Sequence, residues 1–313
     1  MGLLQVVKKG VVQGNTLNKI YDYSKKNNFA ILSSTAINTE IINTVLKSAS
    51  NLNTAVAIQV SYNNAKTFAG KVIQGDAAFL GALIVANHVH TVADKYKTPV
   101  ILSTDYVDSE NLYWIDDLID KGSQYYSEHS KALFSSYSLD ISNMDTKDGI
   151  KLAKKYLKKI SKIGSGLDLK IGKKYSKVEN MFTLYYELSS ISKHFTISLP
   201  LLEENNTNTI TEIKTLQKKI EKEFNTKSKP ISLVFNGDYS NKGEILKLID
   251  VGVVKIDLNV EIINTYTEGM FKYFESNKNE KHLELKKCSH EGKKQVAKML
   301  NNYIKYFNAK NSL

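Results

Sequence analysis

The sequence predicts a closed parallel (β/α)8 barrel with a C-terminal helical extension, one domain over residues 1–313. Three observations predict it. Eight short apolar runs recur along the chain, segments with apolar residues at spacings of three and four lie between them, and no linker, repeat or low-complexity block divides the whole. A chain of 313 residues with 42% hydrophobic and 24% charged residues has enough apolar material for one large α/β core.

In order, the first run is FAILSS (29–34), with Ser34 and Thr35 at its carboxyl end, followed by the helical TEIINTVLKSA. TAVAIQVS (54–61) delivers Ser61 and Asn63 and precedes the helix DAAFLGALIVANHVHTVADKY. TPVILSTDY (98–106) ends in Asp105 and Tyr106, and LFSSYSLDI (133–141) leads to Asp140 and Ser142 before the helix DGIKLAKKYLKKISK. GLDLKIG (166–172) delivers Lys170, and FTISLPL (195–201) delivers Pro200, Leu201 and Leu202. After the helix NTITEIKTLQKKIEKEF, SLVFNG (232–237) delivers Asn236 and Asp238; after GEILKLID, VVKIDLN (253–259) delivers Asp257 and Asn259. The helical extension starts near Glu261. Pro99 and Pro230 precede runs and Pro200 sits near the end of one, where strands tolerate proline. In such barrels the chemistry lies at the carboxyl ends of the strands, so these residues are the candidates.

The formal charge of +11 raises the question of nucleic acid, but every basic residue other than histidine is lysine. Without arginine, which forks onto guanine edges and phosphates, sequence-specific DNA reading is not expected. The lysines of KLAKKYLKKISK and LQKKIEKEF read as solvated helix faces. No apolar stretch reaches the length expected of a membrane span, MGLLQVVKKGVVQGN lacks a signal-peptide pattern, and Val6 does not fit myristoylation of Gly2. A single cysteine, Cys288, suits a reducing compartment, so a cytoplasmic location is expected. The six histidines give no metal cluster at the strand ends. His88 and His90 point to different sides of one helix, one expected part-buried and one solvated; His129 and His194 are expected in loops before strands, and His282 and His290 lie in the C-terminal region.

The runs KKGVVQGNTLNKIYDYSKKNNFAI, AIQVSYNNAKTFAGK, GALIVANHVHTVADKYKTPVILSTDY, YWIDDLIDKG, ALFSSYSLDIS, YLKKISKIGSGLDLKIG and VGVVKIDLN resemble the class II, metal-dependent fructose-bisphosphate aldolases. The resemblance covers nearly the whole chain and implies a (β/α)8 barrel, a homodimer and a zinc cofactor. It assigns the catalytic acid/base to Asp105, and substrate contacts to Ser61, Gly237, Asp257 and Asn259. The ligand positions depart from the family pattern. Its His-x-Asp-His reads Ser103-Thr104-Asp105-Tyr106, and the second Glu of Leu-Glu-x-Glu-Leu-Gly is Lys170. Its Gly-Asn-x-His-Gly is lost within SLPLLEENNTNT, and its His-Gly-Gly-Ser-Gly has become Asn236-Gly237-Asp238-Tyr239-Ser240. Its Asn-x-Asp is exchanged as Asp257-Leu258-Asn259, the acidic glycine-rich loop is missing, and an arginine aligns with His290.

With Tyr106, Lys170 and Asn236 in ligand positions, the expectation is a catalytically inactive homologue without a metal cofactor. The residues assigned to acid/base and substrate contacts become vestigial, Asp105 is expected to be structural, and sugar phosphate is expected to bind weakly or not at all. A role in binding or assembly, as a homodimer or with another protein, is expected, without specific nucleic acid or membrane. The alternative is a functioning fructose-bisphosphate aldolase with an atypical metal site; a third reading makes Lys170 an amine nucleophile.

Overall fold

Eight parallel strands close on themselves. The structure, a computed structural model, describes residues 7–70, 77–175, 177–199, 207–237, 241–280 and 282–313. A two-residue strand β1 (Gly10–Val11) precedes the ring. The ring itself is β2 (Ile31–Thr35), β3 (Val56–Val60), β4 (Pro99–Thr104), β5 (Ser136–Asp140), β6 (Gly166–Lys170), β7 (Phe195–Ser198), β8 (Leu233–Phe235) and β9 (Val253–Asp257). Each pairs with the next, and β2 pairs with β9. The barrel expectation is therefore met, with strands β3 to β9 ending one to three residues before the apolar runs do and β2 one residue later, at Thr35. At β4 the Asp105 amide still donates to Val60 O at 2.8 Å, its Oδ1 accepts from the Tyr106 amide at 2.8 Å, and Val107 then bridges Leu139 of β5 once more.

The helices are α1 (Asn15–Asn27), α2 (Thr39–Asn51), α3 (Tyr62–Ala69), α4 (Ala77–Tyr96), α5 (Leu112–His129), α6 (Thr146–Ile160), α7 (Val178–Ser189), α8 (Thr207–Phe224), α9 (Lys242–Asp250), α10 (Asn259–Ser276) and α11 (Leu285–Tyr306). Several start on a side-chain cap that satisfies an otherwise orphaned amide. Asn38 accepts from Ile41 N at 2.8 Å, Ser61 from Asn64 N at 3.1 Å, and Asp145 from Lys147 N at 2.9 Å.

Helix α4 corrects one expectation: over 20 residues it is long and apolar enough, by length and composition, to cross a bilayer. In the fold its small residues Gly81, Ala82, Val85, Ala86 and Val89 are buried. Gly81 permits the close crossing with α3, since a Cβ there would lie 1.7 Å from the Ala65 carbonyl oxygen. Both histidines of α4 are part-buried, so neither is solvated as expected; His88 bonds Asn43 Oδ1 at 3.0 Å and His90 bonds Leu133 O at 2.9 Å. His129 closes α5 instead of lying in a loop.

The sequence pattern also missed β1, which is too short to show a period. It pairs with the amino end of β4 through Gly10↔Pro99 and Val11↔Val100. Because β1 occupies that stretch of the β4 edge, β5 meets β4 higher up, with one registered pair, Ser103↔Ser136. Hydroxyls complete this seam. Ser138 N donates to Thr104 Oγ1 at 2.8 Å, Ser138 Oγ donates to Thr104 O at 2.6 Å, and Leu102 N donates to Ser135 Oγ at 3.1 Å. Gln13, just after β1, accepts from the Ala132 amide on the approach to β5.

Candidate functional site at the barrel mouth

The barrel lumen is polar. Strands covered on both faces are ordinarily near-continuous Val, Ile and Leu, yet Ser33, Gln59, Ser103, Ser136, Asp168, Thr196 and Lys255 are all buried. Lys255 reaches from β9 to β6 and donates to Asp168 Oδ2 at 2.7 Å; the two side chains are 0% and 2% exposed. Because β6 and β9 are not neighbours in the sheet, this ion pair crosses the lumen. Asp168 also accepts from Ser136 Oγ at 3.0 Å and from Thr196 Oγ1 at 2.7 Å, so its acceptor sites are well used. Burial opposes the Lys255 charge, but Asp168, Asp257 and Asp105 outweigh it and raise the ammonium pKa above its usual value.

Above this pair lie the strand ends. Asp257, the last residue of β9, is buried, and burial chiefly pushes its carboxyl up to about 6 despite the nearby Lys255 ammonium; Asp105 and Asp168 push it the same way. Asp105 is part-buried just past β4, and burial raises its carboxyl too, against the Tyr106 amide and the Lys255 and Lys170 ammonium groups. The Tyr106 phenol is held well above its ordinary range, first by burial and then by the carboxylates of Asp257 and Asp168. It is therefore a neutral phenol at any physiological pH. Lys170, at the end of β6, points its ammonium at Asp140 Oδ2, 2.8 Å away at the end of β5. Burial would raise the Asp140 carboxyl, but Lys170 and the Ser142 hydroxyl and amide hold it below its usual range.

The remaining candidates sit around this centre. Ser61 caps α3 at the end of β3, and Asn259 opens α10 just after β9. Asn236 is exposed just past β8. At Gly237 a Cβ would approach the Phe235 ring to 2.6 Å. Pro200, Leu201, Leu202, Asp238, Tyr239, Ser240 and the rest of the segment 200–206 lie outside the described residues. The structure thus brings Asp105, Tyr106, Lys170 and Asp257 to the end of the barrel that strand counting indicates. Sequence reasoning named Asp105 or Asp140 as the partner of Lys170, and the structure gives Asp140; it missed the Lys255–Asp168 pair. Its signal was present: one lysine and one aspartate of opposite sign, each in the middle of an apolar strand.

Among the described residues, the groups at the mouth make a poor donor set for a divalent ion. A neutral buried phenol and an ammonium at an expected carboxylate position are poor and repulsive neighbours for a cation. Among the described residues no three of His, Cys, Asp and Glu come together as a ligand group.

A parallel eightfold barrel with polar groups converging at the carboxyl ends of its strands is the architecture of an aldolase-type α/β barrel. The chain belongs to the class II fructose-bisphosphate aldolase family: the family's sequence profile, "Fructose-bisphosphate aldolase class-II", matches residues 15–193. It is 34% identical over 299 residues to the fructose-bisphosphate aldolase of Campylobacter jejuni, covering 87% of this chain and 84% of that protein. It is 32% identical over 304 residues to the class 2 enzyme of Escherichia coli K12, covering 88% and 85%. The crystal structure of the Campylobacter jejuni protein superposes with a TM-score of 0.94 at 31% identity, over 100% of this chain and 99% of that one. The YdjI aldolase of Escherichia coli K12 shares the fold, with a TM-score of 0.70 at 14% identity over 96% and 98% of the two chains.

Proposed function

We propose that this chain is a class II aldolase barrel that has left metal-dependent aldol chemistry and serves as a binding or assembly subunit. The observation that carries the reading is the Lys170 ammonium, 2.8 Å from Asp140 and in the field of Asp105. It stands where the family pattern has a carboxylate. An internal cation there offsets carboxylate charge that a metal would otherwise neutralise. Tyr106 fills the neighbouring position with a phenol that stays protonated, so Asp105 has a structural task, holding the turn after β4 through the Tyr106 amide. Among the described residues zinc has no supporting ligand set, and Asp105, Ser61, Gly237, Asp257 and Asn259 are read as vestiges of a substrate site. Sugar phosphates bind weakly, with no arginine in the chain to fork onto phosphate.

The subunit role draws support from α10, which exposes Val260, Ile263, Phe271 and Phe274 along its outer side. A second copy of the chain covers this stripe in the simplest assembly, a homodimer. A cytoplasmic location accords with the lone buried Cys288. Metal analysis of the purified protein together with a fructose 1,6-bisphosphate cleavage assay tests the reading. Sub-stoichiometric zinc and no turnover are expected, with or without added zinc. Stoichiometric zinc with turnover would overturn it in favour of an active aldolase with an atypical site.

A further inference from the structure

The groove between α6 and α7 has a volume of about 780 Å³. Helix α6 buries Ala153, Tyr156, Leu157 and Ile160 against the barrel, and its outer side carries Lys147, Lys151, Lys155 and Lys158, with Lys162 in the 3-10 turn Ser161–Ile163 that follows, all exposed. Spacings of four, four and three put the first four on one side of the helix, over about 17 Å at 1.5 Å per residue. The two acids lining the groove are already engaged: Asp145 caps the helix by accepting from Lys147 N, and Glu187 pairs with Lys154. Among the described residues, none of the five stripe lysines has a carboxylate within ion-pair distance. Like charges at i,i+4 lower helix stability, so the stripe works against the helix that carries it.

Three features select the kind of partner. The groove has an apolar part, Ile150 with the methyls of Thr146 and Thr183, which a bare polyanion would leave unused. No aromatic ring is among the described residues lining it, so nucleic-acid bases find no stacking platform, and lysine lacks arginine's phosphate fork. The apolar face of α6 is buried in the barrel, which leaves no face to insert into a lipid surface. We propose that the α6–α7 groove is a docking site for an acidic polypeptide segment with interspersed aliphatic side chains. The lysine stripe pairs with its carboxylates, and Ile150 receives an aliphatic side chain. This supplies a partner chemistry for the binding role above, and rests on that reading only for its biological meaning.

The test is fluorescence anisotropy on the full chain with a labelled peptide of repeating Glu-Glu-Leu, beside poly-glutamate and poly(U) RNA. The variant K151E/K155E/K158E is expected to weaken the Glu-Glu-Leu peptide by on the order of tenfold or more. The charge-matched control K218E/K222E/K247E, on α8 and α9, should leave it nearly unchanged. Ile150→Ser should weaken the Glu-Glu-Leu peptide but not poly-glutamate. Absence of peptide binding, equal loss in both triple variants, indifference to Ile150→Ser, or tighter binding of poly(U) through the same lysines would each overturn the proposal. None of these outcomes bears on the zinc and cleavage assays, so the two readings fail separately.

Discussion

Lys255 and Asp168 carry the largest single-residue stake in the fold. Removing one partner of a buried ion pair strands the other charge away from water, so Lys255→Met should cost about 3–5 kcal/mol, read from urea denaturation. The double variant Lys255→Met/Asp168→Leu should cost less than the single one, because Asp168 is no longer left as a buried carboxylate without its partner. Asp257 gives the same region a pH dependence. Its folded carboxyl sits at about 6, above the roughly 3.9 of an unfolded aspartate. The native state therefore holds this proton more tightly, and the stability it contributes is complete below about pH 4 and lost as pH rises through about 6. Stability should fall between about pH 4 and 7 by on the order of 2–3 kcal/mol. Asp257→Asn should flatten that slope; an unchanged slope would show that another group titrates. At this scale the sequence was legible where polarity stood alone at a strand end, as at Asp105 and Lys170. It was not legible where a charge sat mid-strand, because the partner of Lys255 lies 87 residues away and only closure of the ring brings them together.

Helices and strands were easier to read than their ends. The apolar runs located all eight barrel strands, since each is one buried pass through the sheet. Except at β2, their carboxyl ends were overestimated because the runs continue past the last strand residue; at β4 the Asp105 side chain takes the Tyr106 amide and the strand breaks before Val107 bridges β5. The α3–α4 crossing shows a second limit, as nothing in the sequence says which glycine is a contact. Gly81→Ala must displace the α3 backbone at Ala65, and should lower stability by about 1–3 kcal/mol, visible as a lower Tm. A substitution of no consequence there would mean that the helices slide apart freely.

For the whole molecule, the barrel and the helical extension followed from pattern, while assembly did not, because exposure of a stripe on α10 depends on which side α11 covers. Phe271→Glu, on the exposed side, should shift sedimentation toward monomer without lowering thermal stability of the monomer. Unchanged sedimentation would move the interface elsewhere. The mouth is expected to be far from activity. Tyr106→His/Asn236→His supplies two nitrogen donors, where catalytic zinc generally needs three protein ligands and an open position. Lys170 remains beside them. The double variant should take up zinc loosely and cleave fructose 1,6-bisphosphate no faster than background; measurable turnover would place the site two substitutions from function.

The seam between β4 and β5 has a consequence for how the ring is made. Its lower half is filled by β1, whose neighbours, Pro99–Val100 and the approach to β5, lie roughly ninety to one hundred and twenty residues further along the chain. During synthesis this clasp emerges first and has nothing to fasten until β5 arrives, so its closure comes late, after the intervening strands have begun to pair. In the finished protein the same arrangement is expected to make the seam a place where the ring opens early. Amides of Ser138 and Ala132 should exchange with solvent faster than those of β3, and shortening the chain before Gln13 should speed them further.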